Sequence, residues 1–305
     1  MTLTDIECPI CNSKTYKLCE KTGDKRVFKT YTINHCPNCS FSFVTEPRTD
    51  YEQIYSHDYY NGLGPDPLAN YAFEAHNPSL TIRQYEWKGL ERIFETLKKL
   101  NLISPKAAWL DYGCGLGGLV RHGRERDFNI FGYEPYGNID NKTDKTLTNN
   151  LNHYEQYFLS KDQLKPESWN FVTAIEVIEH VSDPLDFLKK IRPLMKTNGL
   201  LFLTTGNAAP FLKNNLQSWA YADCPDLHVS FFTPQSLAEA MRRAGFTILP
   251  ASYFNGFTDI IKFKILKNLK FTKSSKLFSL LPWPLISRLA DLAYQISALP
   301  IAIAS

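Results

Sequence analysis

Three acids at the ends of apolar runs, and one glycine-rich turn, set out the chemistry open to this chain. Ala107 to Gly118 reads as a buried strand that ends on Asp111 and turns through Gly113, Gly115 and Gly117 into a helix. Glycines at such a turn let a ligand lie against backbone, because no Cβ holds it away. Phe128 to Pro135 reads as a second strand, closing on Glu134, whose carboxylate can accept both hydroxyls of a ribose. A third apolar run starts at Trp169, ends on Glu176 and continues into Glu179-His180.

The spacing of Gly113, Gly115 and Gly118 also satisfies G-x-G-x-x-G, so a dinucleotide site is the first alternative. Asp111, two residues before the first glycine, argues against it. A carboxylate there repels a pyrophosphate but suits a cationic ligand, such as the ammonium and sulfonium of S-adenosylmethionine. Glu134 fits a ribose in either cofactor and does not choose between them.

Two histidines are placed to move a proton near neutral pH. His180 follows the third strand. His228 lies in Pro225 to Pro234, after a loop that should border an acceptor pocket at the strands' carboxyl edge. For each, general-base and structural roles stand side by side.

Four of the seven cysteines form two knuckles, Cys8-Pro-Ile-Cys11 and Cys36-Pro-Asn-Cys39. This is the ligand set of a tetrahedral, four-cysteine zinc ribbon, with a hairpin through Gly23-Asp24 folding one knuckle onto the other. Four thiolates leave no open coordination position, so the zinc would be structural. Met1 to Cys8 lacks the charged and apolar regions of a signal peptide, so reduced cysteines and a cytoplasmic location are expected.

The segment from Asp111 to Gly117, Glu134, and the run Glu-Val-Ile-Glu-His-Val-Ser-Asp-Pro from Glu176 resemble class I S-adenosylmethionine-dependent methyltransferases. The nearest branch holds ubiquinone-type O-methyltransferases and small-molecule methyltransferases of sugar and polysaccharide biosynthesis. The resemblance covers about residues 109–249. It implies a Rossmann-like α/β sheet with helices on both faces. Asp111, Gly113, Gly115, Gly117, Glu134 and Glu176 would then hold the cofactor, and an aromatic segment containing Tyr60 would close over it. In the ubiquinone-type enzymes the cluster matching Glu176, Glu179 and His180 is associated with a divalent cation, so a magnesium-type ion is one role for these residues. Holding cofactor and loop is the other. The family's sugar C-methyltransferases carry Tyr-His-Glu-His where this chain has Pro225-Asp226-Leu227-His228. That departure leaves O-methylation in front. The ribbon resembles a substrate-facing accessory domain.

The elements that must position these groups can be laid out along the chain. Residues 1–46 form the ribbon, 47–105 an aromatic connector and a covering helix from Ser79 to Leu100, and 106–250 the cofactor domain. Ser182-Asp183-Pro184 opens a helix expected to run to Asn198-Gly199, followed by a strand from Leu200 to Thr205. Another helix spans Gln235 to Ala244. Residues 251–305 read as a basic and apolar helical tail: six lysines between Lys262 and Lys276 with no acid among them, then an apolar stretch around Trp283. Such a tail either presents a solvated lysine face or lies on an anionic membrane. The net charge of +3 is too small to point to nucleic acid. The expected activity is methylation of a small-molecule hydroxyl, on a saccharide or surface-glycan precursor. A phenolic or quinone-precursor acceptor and a non-catalytic cofactor-binding module are the alternatives.

Overall fold

The computed structural model describes residues 2–23, 29–64, 70–136, 152–212, 216, 219–250, 256–294 and 300–304. Asp24, expected in the ribbon's hairpin, lies outside them. An N-terminal hairpin of β1 (Tyr16–Thr22) and β2 (Thr30–His35) pairs antiparallel, with β3 (Ser42–Val44) beside β2. The aromatic connector contains three short helices: α1 (Tyr51–Ile54), α2 (His57–Tyr60) and α3 (Tyr71–His76). The covering helix α4 (Arg83–Lys99) follows.

The central sheet is built from β4 (Trp109–Tyr112), β5 (Ile130–Tyr133), β6 (Phe158–Leu159), β7 (Trp169–Ile175) and β8 (Met195–Thr204), all parallel. Helices α5 (Gly118–Arg124), α6 (Pro184–Ile191), α7 (Ala209–Leu212) and α8 (Pro234–Arg243) lie along this part of the chain. A two-residue strand, β9 (Ser230–Phe231), precedes α8. Then come β10 (Phe246–Pro250), α9 (Phe257–Asn268), α10 (Trp283–Tyr294) and β11 (Pro300–Ala304).

Strand order is β10-β11-β8-β7-β4-β5-β6, with β11 antiparallel to both of its neighbours. Side chains alternate across this sheet as the pleat requires. Trp109, Phe171, Leu200 and Phe202 pack with Leu90, Phe94 and Ile260 of α4 and α9. Leu110, Val172, Leu201 and Leu203 pack on the other face with Leu188 and Ile191 of α6 and Met241 of α8. Both faces are therefore covered by helices, as the parallel strands demand.

Two expectations need correction. The helix opened by Pro184 stops at Ile191, not at Asn198-Gly199. Pro193 lacks the N–H that would continue it, and residues 195–199 join the sheet early, with Asn198 at φ 61°. The tail is not wholly helical: β11 inserts between β8 and β10, so the chain's last described residues complete the central sheet.

Candidate active site

The order of strands reverses between β4 and β7, and a crevice opens at their carboxyl ends, where such sheets take ligands. Asp111 and Thr173 face each other across adjacent strands, and the Thr173 hydroxyl donates to Asp111 Oδ1 at 2.7 Å. Trp109 Nε1 donates to the same hydroxyl at 2.9 Å, fixing the Thr173 rotamer. Burial pushes the Asp111 carboxyl up to about 7, the Thr173 hydrogen bond opposes that, and the charge of Glu134 adds to it.

After Asp111 the chain passes through Gly113, Gly115 and Gly117 at φ 83°, 53° and 74°. A side chain is excluded at Gly117, where a Cβ would stand 2.1 Å from the Phe158 ring. At Gly115 an added Cβ would meet only the Tyr60 ring at 3.8 Å, so it would enter the space a cofactor needs. The Gly115 amide donates to Glu134 Oε2 at 2.9 Å and the Tyr136 amide to Oε1 at 3.2 Å. Those two amides orient the carboxylate and leave it further acceptor capacity for a diol. Asp111, Gly113, Gly115, Glu134, Glu176, His180 and Tyr60 all border one cavity of about 580 Å³, whereas Gly117 does not line it and packs against Phe158. The cavity volume lies within the range of small-ligand sites. Tyr51, Tyr55, Tyr59 and Tyr71 continue the wall that Tyr60 begins. The buried acid for a cation, the open backbone and the held diol acceptor fit S-adenosylmethionine.

Glu176, in the left-handed region at φ 56°, is met by two lysines of α9. Lys264 forms an ion pair with it, and Lys267 Nζ lies 3.5 Å from Oε2. Burial alone would raise this carboxyl, but the two ammoniums hold it well below the usual carboxylate range. Glu179 turns the other way, into the protein, where the Tyr221 hydroxyl donates to it. Burial and the charge of Glu176 push Glu179 up to about 8.

His180 is on the cavity wall with Nδ1 3.1 Å from the Leu227 carbonyl. Burial and the neighbouring His228 hold it down to about 3, so it is neutral. His228 does not line the cavity. It stands behind His180, ring centroids 5.0 Å apart, stacked on Tyr221 at 4.0 Å. Its Nδ1 lies 2.7 Å from the Tyr221 carbonyl.

A magnesium-type ion on Glu176, Glu179 and His180 does not fit this arrangement. Lysines already neutralise Glu176, and the donors that converge within 4.8 Å are Glu179, His180 and His228, one carboxylate with two imidazoles. Magnesium prefers oxygen ligands.

The four knuckle cysteines do come together. Cys8 and Cys39 sulfurs are 3.6 Å apart, Cys11 and Cys36 sulfurs 3.4 Å, and all four lie within 4.8 Å of one another. Disulfide sulfurs would be about 2.05 Å apart. Zinc–sulfur bonds of about 2.3 Å place tetrahedral sulfurs about 3.8 Å apart, so the cluster fits zinc. The knuckles match each other: Asn12 and Ser40, one residue beyond each pair, sit at φ 59° and 61° and donate back to Cys8 and Cys36 carbonyls.

Among the described residues, none before Tyr51 lines the cavity, so the ribbon does not face the substrate space directly. It grips the segment that carries His228 instead. β3 pairs with β9, Ser42 opposite Phe231 and Phe43 opposite Ser230. Tyr31 donates to Asp226, Lys21 pairs with Asp223 at 2.7 Å, and Phe41 packs on Phe232.

Sequence reasoning did not identify Thr173, Tyr221, Lys264 and Lys267 as site residues. It also missed the buried ion group of Glu74, Arg83 and Glu86 on the cavity wall, where Arg83 reaches Glu74 at 2.9 Å and Glu86 at 2.6 Å. The one signal available was an i, i+3 Arg–Glu pair on an otherwise apolar helix face.

Residues 82–251, more than half of the chain, match the family model described as a methyltransferase domain. A ubiquinone biosynthesis O-methyltransferase from Yersinia enterocolitica is 28% identical over 173 residues, covering 51% of this chain and 68% of that protein. One of the same name from Vibrio cholerae is 26% identical over 205 residues, covering 57% and 80%. Among solved structures, an S-adenosylmethionine-dependent methyltransferase from Thermotoga maritima is 20% identical, with a TM-score of 0.34 over 58% of this chain and 80% of that one. Haemonchus contortus phosphoethanolamine N-methyltransferase 2 is 14% identical, with a TM-score of 0.42 over 86% and 60%. Scores this low say nothing of the acceptor. By its domain match and the crevice described above, the chain belongs to the methyltransferase-domain family, as a class I S-adenosylmethionine-dependent enzyme.

Proposed function

We propose that this methyltransferase transfers a methyl group to a hydroxyl of a small molecule, a saccharide or surface-glycan precursor. The observation that carries this is His180, a neutral imidazole on the wall of the cavity that Asp111 and Glu134 also border. When bound, S-adenosylmethionine supplies an electrophilic methyl on sulfur. Asp111 would face its cationic end, Glu134 its ribose, and the tyrosine wall would exclude water. A hydroxyl becomes a strong acid as its oxygen gains the methyl, so even a weakly basic imidazole suffices to take the proton. His180 is therefore the base, and His228 a positioning residue behind it. A polyhydroxylated acceptor suits the many charged groups on the wall, Glu74, Arg83, Asp183, Asp186 and Lys190 among them. The four knuckle thiolates would hold a structural zinc.

A phenolic or quinone-precursor acceptor is the second reading, favoured by the names of the Yersinia and Vibrio relatives. Incubation with labelled cofactor and separate sugar-nucleotide, lipid-linked sugar and catechol panels distinguishes the two. Label in the catechol panel alone overturns the saccharide reading. A protein that binds cofactor but consumes it with no panel overturns both.

A further inference from the structure

The tail turns some of its lysines inward and its leucines outward. Lys264 and Lys267 meet Glu176, and Lys262 lies over the Tyr85 ring at 3.8 Å. Half of the exposed large apolar side chains among the described residues fall between Leu269 and Leu292. On α10, Trp283 and Ser287 are buried against the protein, while Leu285, Leu289 and Leu292 are 55%, 57% and 81% exposed. Their spacing of four and three residues makes one outward stripe. Leu277 and Leu280, in the turn before α10, are 69% and 78% exposed and extend the apolar surface. Side chains this exposed stand out from the surface and do not line a groove.

Around them basic residues outnumber acids. Lys270, Lys273, Lys276 and Arg288 are exposed, and between residues 260 and 294 the only acid is Asp291. No helix among the described residues is long and apolar enough to cross a membrane. A short leucine stripe edged by cations, with no spanning length, is the composition of an element that lies in a bilayer interface.

We propose that the face formed by residues 269–292 docks in the plane of an anionic lipid bilayer. The leucines enter the headgroup boundary and the lysines meet lipid phosphates. The same tail holds Glu176 through α9, the helix that immediately precedes this face. This docking does not depend on which hydroxyl is methylated.

The test is co-sedimentation of the full chain with vesicles of phosphatidylcholine alone, or with about one-third phosphatidylglycerol. Binding at least about tenfold stronger on the anionic vesicles, weakening as salt rises, is the expected result. The triple variant Leu285→Ser, Leu289→Ser, Leu292→Ser should lose about tenfold or more of it. Its circular dichroism and S-adenosylhomocysteine binding should be unchanged. Lys270→Glu, Lys273→Glu, Lys276→Glu together should abolish the anionic preference, which guards against misfolding of the leucine variant. Equal binding to both vesicles, or none, overturns the proposal. So does a wild-type dimer in analytical ultracentrifugation that becomes monomeric in the leucine variant, since the face would then cover a second copy.

Discussion

Lys264, on a helix late in the chain, forms an ion pair with Glu176 at the end of β7, and Glu176 borders the cofactor cavity. Glu86 of α4, wholly buried, lies 3.9 Å from the same ammonium, so one lysine ties two helices to a catalytic strand end. This joins the tail to the site by charge, where composition alone left a solvated lysine face and a membrane-lying one side by side.

Replacing Lys264 by Met should leave Glu176 with only Lys267 at 3.5 Å. Removing one partner of a buried pair costs about 3–5 kcal/mol, and the remaining lysine reduces this to roughly 2 kcal/mol. Urea unfolding measures it. A variant as stable as wild type would mean that Lys267 or solvent fully replaces the pair.

The Asp111 carboxyl, raised to about 7, makes cofactor affinity depend on pH. A cationic ligand favours the ionised form, so affinity should rise about tenfold from pH 6 to pH 8 and then level off. Folding runs the other way for this group. The folded state keeps a proton that the unfolded chain releases, so this contribution is complete below about pH 4 and fades as pH rises through about 7. His180, lowered to about 3, opposes it: its contribution is complete above about 6.5 and is lost as pH falls towards 3. Calorimetric titration of S-adenosylmethionine across pH should show the slope, and Asp111→Asn should flatten it with a loss of affinity.

Gly117→Ala combines a left-handed backbone with a Cβ placed against Phe158. The strain of about 1–2 kcal/mol and overpacking of about 1–3 kcal/mol should together lower stability by roughly 2–5 kcal/mol. Denaturant unfolding measures the loss. Wild-type stability would mean that Phe158 moves aside and the left-handed backbone accepts a Cβ at this position.

Cys36→Ser, or chelation, should release the metal and unpair β3 from β9. Hydrogen exchange should then speed up at Ser230 and Phe231 as well as within the ribbon. One zinc per chain, lost in the variant, is the expected metal content. Exchange confined to the ribbon would show that it does not brace the His228 segment.

His180→Ala should lower turnover by about 10²-fold or more while cofactor affinity holds. His228→Ala, acting through position, should lower turnover less and shift its pH profile. Equal losses with unshifted profiles would place neither imidazole on the proton's path.

The sequence by itself determined the local features: strand ends at Asp111 and Glu134, the glycine turn, the cysteine knuckles and the cap that starts α6. Each is written in neighbouring residues through backbone conformation, capping or fixed ligand spacing. Even there Pro193 ended a helix that periodicity alone extended. Only the tertiary structure decided what depends on distant segments meeting. It placed Thr173 beside Asp111, His228 behind His180, the ribbon edge on β9 and the last strand inside the central sheet. It also sent Lys264 and Lys267 inward and the leucines of α10 outward. A run of alternating basic and apolar residues does not encode which face is covered, because that depends on the surface the helix packs against.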